Sequence, residues 1–140
     1  YDKVTDIDKL NIIKWDKIKI SDYFEIVKVK PLKVNEYEDG EYPLISSSKV
    51  NNGICNFINT YSIEGDFISV AISGSVGYSF YQSNKFSITS DIILLRPLKE
   101  IDYCLMAILL TEHLHSKYSY TNELTNQQLM NEIINVPIFG

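Results

Sequence analysis

The sequence has little of several features on which common classes of protein depend. It contains only two cysteines and two histidines among 140 residues. Two cysteines are too few for a disulfide framework, and they favour a reduced, cytoplasmic setting. No apolar run reaches the roughly 18 residues of a membrane span, since the longest, around Tyr103–Leu110, has the length of a core helix. The polar and charged N-terminus gives no indication of a signal peptide.

Motifs that would support catalysis are also missing. The stretch "SGSVGYSFYQ" (Ser73–Gln82) has neither the Lys-Ser/Thr of a phosphate-binding loop nor the G-x-G-x-x-G of dinucleotide binding. His113 and His115 lie two residues apart in a predicted helix, so they point roughly 200° apart and cannot share a metal ion. Cys55 and Cys104 are isolated along the chain. The sequence therefore predicts a non-catalytic protein, with an unrecognised catalytic domain as a lesser alternative.

Basic residues are scarce as well. The chain has 13 lysines and arginines against 18 acidic residues, which gives a net charge of −5, and Arg96 is its one arginine. Because binding to phosphates normally draws on an excess of positive charge, this balance argues mildly against a nucleic-acid partner. The charges are uneven, however, since residues 41–95 hold only Lys49 and Lys85 against four acids. The middle of the chain is polar but nearly uncharged, and composition alone leaves the function open.

The hydrophobic content is sufficient for one folded domain. Hydrophobic residues make up 45% of the sequence, and 140 residues can bury a core without cross-links. We therefore expect a single domain over residues 1–140, which is also consistent with a fragment of a longer chain. Turn signals and β-branched runs predict a strand, a tight connection and a second strand within Asp8–Lys30, a loop over Asn35–Pro43, a turn at Asn52-Gly53, and buried strands over Asp66–Ser73 and Phe86–Pro97.

The period of the pattern changes near residue 100. "IDYCLMAILLTEHLHSKY" (Ile101–Tyr118) predicts a helix of about four turns with Asp102 as its N-cap. A second helix opens with Thr125 and Gln128 in the spacing of a capping box, carries Ile133 and Ile134 on its apolar face, and ends before Pro137. Short strands followed by two helices predict an α+β fold, with a twisted mixed or antiparallel sheet.

Five segments, in this order, resemble one known family. They are "WDKIKISDYFEI" (Trp15–Ile26), "YPLISSSKVNNGI" (Tyr42–Ile54), "ISVAISGSVGYSFYQSNKF" (Ile68–Phe86), "SITSDIILLRP" (Ser87–Pro97) and "LTNQQLMNEIINVPI" (Leu124–Ile138). Together they resemble the target recognition domain of the specificity subunits of type I restriction-modification systems. The related domain of type II systems and of some adenine methyltransferases is similar.

The resemblance implies recognition of double-stranded DNA at half of a split target site. The domain would direct a DNA methyltransferase subunit or domain to an adenine, and a restriction nuclease subunit would join in systems that cut DNA. S-adenosylmethionine would bind the methyltransferase, so no cofactor or metal is expected in this chain. A protein-interaction domain of similar fold without DNA binding remains the alternative.

Residue types in three loops fit such a role. Asn and Gln match the major-groove edge of adenine, Lys matches guanine, and Ser suits phosphates. We expect these loops to converge on the DNA, although any single residue could instead serve a solvated turn. The candidates are Ser46, Ser47, Ser48, Lys49, Asn51 and Asn52 in one loop; Tyr78, Tyr81, Gln82, Ser83, Asn84 and Lys85 in another; Lys117, Tyr118, Tyr120, Thr121 and Asn122 in a third; and Lys28, Lys30 and Lys33 as phosphate contacts. We assign Phe80 to the core and Gly74 and Gly77 to backbone conformation.

Overall fold

The α+β fold is confirmed in a computed structural model that describes residues 12–33 and 37–139. The described residues form ten strands and three helices in chain order. These are β1 (Ile12–Lys19), α1 (Ile20–Tyr23), β2 (Phe24–Val27), β3 (Asp39–Ile45), β4 (Ile54–Ile58), β5 (Ile63–Glu64), β6 (Phe67–Ala71), β7 (Ser79–Gln82), β8 (Lys85–Ile88), β9 (Ile92–Pro97), α2 (Tyr103–His115), α3 (Asn126–Asn131) and β10 (Ile133–Phe139).

The strands form three sheets. One is a ribbon of β1 and β10, and the other two have the strand orders β2-β9-β6-β7 and β4-β3-β8-β5. The β3–β8 pair is parallel, and the other strand pairs among the described residues are antiparallel. The ribbon pairs Ile12 with Phe139, so the described chain enters and leaves the fold side by side.

The central sheet β2-β9-β6-β7 is covered on both faces. All five residues of β6 are buried. Because side chains alternate along a strand, Ile68 and Val70 pack into one core cluster with α2, α3 and the ribbon. Phe67 and Ala71 face the other way, into a second cluster with the sheet that contains β3 and β8. The fold is therefore layered as helix, sheet and sheet. None of the described helices is long and apolar enough to cross a membrane.

The predicted helix starts are confirmed, and one predicted helix end is wrong. Leu105 N–H donates to Asp102 Oδ1 at 3.0 Å, and Thr125 and Gln128 form the reciprocal bonds of a capping box. Helix α3 ends at Asn131, however, so Ile133 and Ile134 belong to β10 rather than to a helix face. Pairing with β1 determines this outcome, since Ile134 lies opposite Ile18 and is buried beside it.

Two strand predictions also need correction. The described part of the predicted loop Asn35–Pro43 includes the start of β3 at Asp39, while residues 34–36 lie outside the described structure. The run Phe86–Pro97 is not one strand, because a turn over residues 89–91 separates β8 from β9. Thr89 donates its hydroxyl proton to Asp91 within that turn. The short polar turn places β8 and β9 in different sheets.

Candidate functional site

Ser47 joins the loop over residues 46–52 to the loop over residues 72–78, which we call the first and second loops. Its hydroxyl donates to the carbonyl oxygen of Ser73 and accepts the backbone N–H of Ser75 at 2.9 Å. Its own N–H donates to Asp91 Oδ2 at 3.3 Å. The loop over residues 46–52 therefore lies against the loop over residues 72–78. The hydroxyl of Ser47, predicted to contact DNA, is engaged in holding these loops together.

The second loop meets the C-terminal end of α2. The rings of Tyr78 and His115 contact each other with centroids 4.7 Å apart. Gly77 has φ +90°, and a Cβ there would lie 2.6 Å from the backbone nitrogen of His115. Glycine is therefore required both by the conformation and by the close approach of the helix. This confirms the backbone role expected for Gly77, and Gly74 has φ +66°.

The third loop follows α2, and one of its candidates is buried. Tyr118 is 6% exposed and donates its hydroxyl proton to Glu132 Oε2 at 2.8 Å. It belongs to the core, which argues against its expected role as a DNA contact, and that role remains a prediction. Tyr120 is 76% exposed at the outside of the loop. Asn122 pairs with Ser119 through backbone bonds and donates from Nδ2 to the carbonyl oxygen of Lys117 at 3.3 Å.

Glu132 holds the third loop from the buried side of that loop. Its carboxylate accepts from Lys117 Nζ at 2.9 Å and lies 2.7 Å from His113 Nε2. Burial alone would raise the pKa of Glu132, but the bonds from Lys117, His113 and Tyr118 outweigh burial and lower it. Burial, followed by the bond to Glu132, raises the pKa of Tyr118 to about 12. Lys117 therefore presents a partly neutralised charge to the surface.

We call residues 46–52, 72–78 and 115–122 the loop surface. These three stretches contain no aspartate or glutamate, although the chain has 18 acidic residues. They carry Lys49, which is exposed, as well as Lys117 and seven serines. Val50, 57% exposed between Lys49 and Asn51, was missed by the sequence reasoning. A lone valine in a polar loop gives no signal of exposure until the fold is known.

The candidates from Tyr78 to Lys85 do not form one loop. Strand β7 occupies Ser79–Gln82 and separates Tyr78 from Ser83 by roughly 16 Å of extended chain. Helix α2 lies beside this strand, since Tyr103 at its start contacts the ring of Tyr81 at 4.7 Å and His115 at its end contacts Tyr78. Tyr78 belongs to the loop surface, whereas residues 83–85, which we call the tip, lie at the other end of β7.

Gln82 is buried rather than exposed at the tip. Its side chain is 4% exposed, and its Nε2 donates to the carbonyl oxygen of Asn52 at 2.7 Å and to Ser69 Oγ at 3.2 Å. Asn52 returns a bond from Nδ2 to the carbonyl oxygen of Tyr81 at 2.9 Å. The burial of this amide argues against the expected contact of Gln82 with a base, which remains a prediction. Phe80, assigned to the core, is only half-buried.

The tip lies in acidic surroundings. Tyr81 donates its hydroxyl proton to Asp66 Oδ1 at 2.7 Å, and this bond, followed by burial, raises the pKa of Tyr81. Lys85 pairs in register with Glu64 and lies 5.1 Å from the ring centroid of Tyr61. Two exposed acids therefore adjoin the tip, namely Glu64 through its pairing with Lys85 and Asp66 through the bond from Tyr81. The exposed Ser83 and Asn84 therefore share their surface with carboxylates that repel phosphate.

The three lysines after β2 are exposed but dispersed. Lys28 lines a groove with Ile72 and Ser90, at the flank of the loop surface. Lys30 lines a different groove with Ser62 and Ile63. Lys33 follows Leu32, whose N–H donates to the carbonyl oxygen of Ile88 at 3.0 Å. Lys28 is thus the lysine of this segment that adjoins the loop surface most directly.

The fold and this surface together define a binding domain that presents polar loops from two packed sheets. Among residues 12–33 and 37–139, no group of three or more His, Cys, Asp or Glu side chains could hold a metal ion. The family model of the type I restriction modification DNA specificity domain matches residues 12–139. The chain belongs to that family.

Individual relatives agree with this assignment. The chain is 35% identical over 81 residues to a protein named as type I specificity subunit S.MpnORF507P of Mycoplasma pneumoniae. The aligned residues make up 56% of this chain and 22% of that protein. It is 25% identical over 142 aligned positions to the type II restriction enzyme BgcI specificity subunit S.BcgI of Heyndrickxia coagulans, covering 97% and 41%. The chain thus spans between about a fifth and two-fifths of these relatives.

Solved structures share the fold. The S subunit of the type I restriction-modification system of M. genitalium matches with a TM-score of 0.72 at 20% identity, over 91% of this chain and 35% of the other. The HsdS subunit of Thermoanaerobacter tengcongensis matches with a TM-score of 0.61 at 16% identity, over 88% and 33%. At these identities the likeness concerns the fold.

Proposed function

We propose that this chain is a non-catalytic domain that reads a short sequence of double-stranded DNA for a restriction-modification system, through the loop surface. The observation that carries the proposal is the absence of acidic residues from residues 46–52, 72–78 and 115–122 in a chain of net charge −5. A DNA phosphate can approach this surface without repulsion from carboxylates within these loops. Family membership supports the same function.

The partner in this proposal is a DNA methyltransferase subunit or domain that modifies adenine. It would carry S-adenosylmethionine and extrude the target base, while this chain selects the half-site. A restriction nuclease subunit would join in those systems that cleave. The specificity subunits named among the relatives support this class of assembly, which we expect to act in the cytoplasm.

The loop surface offers both kinds of contact that a DNA reader needs. Lys49 supplies charge, Asn51 supplies an amide, and Val50 supplies methyl groups. These match guanine or phosphate, the edge of adenine, and the methyl group of thymine, respectively. Exposed hydroxyls of Ser116 and Tyr120 lie in the third loop and suit phosphate oxygens.

A lysine substitution tests the proposal. We expect Lys49→Ala to weaken binding of all duplexes to a similar extent and to reduce the slope of log affinity against log salt by about 1. Lys14→Ala is the matched control, because Lys14 is exposed on the ribbon and belongs to none of the three loops. Fluorescence anisotropy with random-sequence duplexes over a salt series measures both quantities.

The wild-type protein in the same assay tests whether the chain binds DNA at all. If it fails to bind any duplex at low salt with the methyltransferase present, the DNA-reading function is wrong. Equal losses for Lys49→Ala and Lys14→Ala would instead contradict the assignment to the loop surface.

A further inference from the structure

The first loop of the loop surface ends in an unusual backbone. Asn51, Asn52 and Gly53 follow one another with φ of 53°, 57° and 77°. The left-handed conformation is unfavourable for residues that carry a Cβ, although asparagine tolerates it better than most. Two such residues in succession persist only where the surrounding structure holds them.

Buried side chains of the central sheet hold this turn. Gln82 Nε2 donates to the carbonyl oxygen of Asn52 at 2.7 Å, and Asn52 Nδ2 donates to the carbonyl oxygen of Tyr81 at 2.9 Å. Gln82 also donates to Ser69 Oγ at 3.2 Å, and Ser69 is 1% exposed. A continuous set of hydrogen bonds therefore runs from the buried strand β6 into the left-handed turn.

The first residue of the turn and the two residues before it are the most exposed of their loop. Lys49, Val50 and Asn51 are exposed, whereas Asn52 is half-buried and Gly53 is buried. A Cβ at Gly53 would lie 3.2 Å from Ile45 Cγ2, so the turn packs closely on the sheet. The direction in which the three exposed residues project is consequently set by the turn.

We propose that Asn52 and Gln82 are positioning residues, which set base preference by fixing Val50 and Asn51 and do not themselves touch DNA. This inference rests on the proposed DNA-reading function. Residue type alone would place the amides of Asn52 and Gln82 at a base edge. The inference instead gives them the role of holding the base-reading residues in position. Displacing a base contact by a small distance weakens discrimination more than it weakens attraction to phosphates.

Two substitutions at Asn52 test the inference. Asn52→Gly and Asn52→Asp both remove the donor that bonds the carbonyl oxygen of Tyr81, while both residues accept a left-handed backbone. Asn84→Gly and Asn84→Asp are matched controls, because Asn84 has φ 68° and is exposed at the tip. The full-length protein selects duplexes from a random pool, and its affinity for non-specific duplex and its Tm are measured alongside.

We expect both Asn52 variants to lose about tenfold in discrimination between preferred and mismatched duplexes. The non-specific affinity of Asn52→Gly should stay within about twofold of wild type, whereas the added charge of Asn52→Asp should also weaken non-specific binding. The Asn84 variants should keep both properties. If an Asn52 variant has a lowered Tm, Gln82→Met replaces it, because this substitution removes the donor to the carbonyl oxygen of Asn52. Its discrimination and its non-specific affinity are then compared with those of wild type.

The outcomes separate the two proposals. A wild-type protein that selects no sequence contradicts the DNA-reading function itself. A wild-type protein with a clear preference, which the Asn52 and Gln82 variants retain at the same discrimination, overturns the positioning role alone. A loss in Asn52→Gly without a loss in Asn52→Asp also overturns it, since backbone freedom and not the hydrogen bond would be the cause.

Discussion

At the scale of single residues, Glu132 is a buried carboxylate that joins three parts of the chain. Its side chain bonds His113 in the last turn of α2 and Lys117 and Tyr118 in the loop beyond. Its carbonyl oxygen accepts from the N–H of Ile20 at 3.0 Å. Removing one partner from a buried charged network costs more than the network contributes as a whole, because the remaining groups stay desolvated. Glu132 therefore anchors the third loop to the ribbon and to α1.

Substituting Glu132 tests this role. We expect Glu132→Gln to lower the free energy of unfolding at neutral pH by about 1–3 kcal/mol, since the charge-assisted bonds to Lys117 and Tyr118 weaken. Chemical denaturation monitored by circular dichroism measures the change. Glu123→Gln, at an exposed position, is the control and should change the free energy by less than about 0.5 kcal/mol.

The pH dependence has a definite sign. The pKa of Glu132 is lowered in the folded state from its ordinary 4.5, so the folded state binds the proton less tightly than the unfolded state does. The stabilisation is present above pH 4.5 and is lost as the pH falls through the folded pKa. The gap in stability between wild type and Glu132→Gln should narrow over that range. A gap that stays constant down to the acid limit would contradict the ionised network.

At the scale of elements, β7 is the open edge of the central sheet. One edge of β7 pairs with β6, and on the other edge side chains bond the backbone at Ser79 and Tyr81. Asn52 covers the carbonyl oxygen of Tyr81, and Thr111 Oγ1 of α2 accepts from the N–H of Ser79 at 2.9 Å. Covering an edge in this way also prevents pairing with other chains.

A threonine substitution tests how much this coverage contributes. We expect Thr111→Val to lower the free energy of unfolding by about 1–3 kcal/mol, because the isosteric valine leaves the Ser79 N–H without that acceptor. Thermal and chemical denaturation measure the loss. Thr121→Val removes an exposed hydroxyl and should be nearly neutral. If Thr111→Val and Thr121→Val changed the free energy of unfolding equally, the contact of α2 with β7 would depend on packing alone.

Element boundaries show where sequence patterns were informative. Asp102 and Thr125 were predicted as helix caps because capping depends on neighbours within one turn. The division of Phe86–Pro97 into β8 and β9 was not predicted. Three polar residues within a β-branched run do not by themselves show whether the chain turns, and the bond between Thr89 and Asp91 is visible only in the fold. Ile133 and Ile134 fit a helical spacing, and only pairing with β1 assigned them to a strand.

At the scale of the whole molecule, charge separates the two ends of β7. The loop surface has no acidic residue within its three stretches, whereas the exposed acids Glu64 and Asp66 adjoin the tip. The net charge of −5 therefore does not describe the surface that we propose meets DNA. Local potential, and not net charge, governs the approach of a polyanion at short range.

A pair of charge insertions tests this separation. Asn51→Asp and Asn84→Asp each add one negative charge at an exposed residue with positive φ, one on the loop surface and one at the tip. We expect Asn51→Asp to weaken duplex binding about tenfold at low salt, and Asn84→Asp to change it by less than about twofold. Anisotropy titrations measure both, and the reverse order of effects would assign DNA to the tip.

The sequence by itself determined the α+β class, the helix caps, the glycine at residue 77 and the family, because these depend on local spacing or on ordered motifs. Tertiary structure decided which polar residues remain available. Gln82 and Tyr118 have side chains suited to DNA, yet long-range bonds to Asn52 and Glu132 bury them. Residue type fixes what a side chain can bind, whereas packing against distant segments fixes whether it faces solvent or the core.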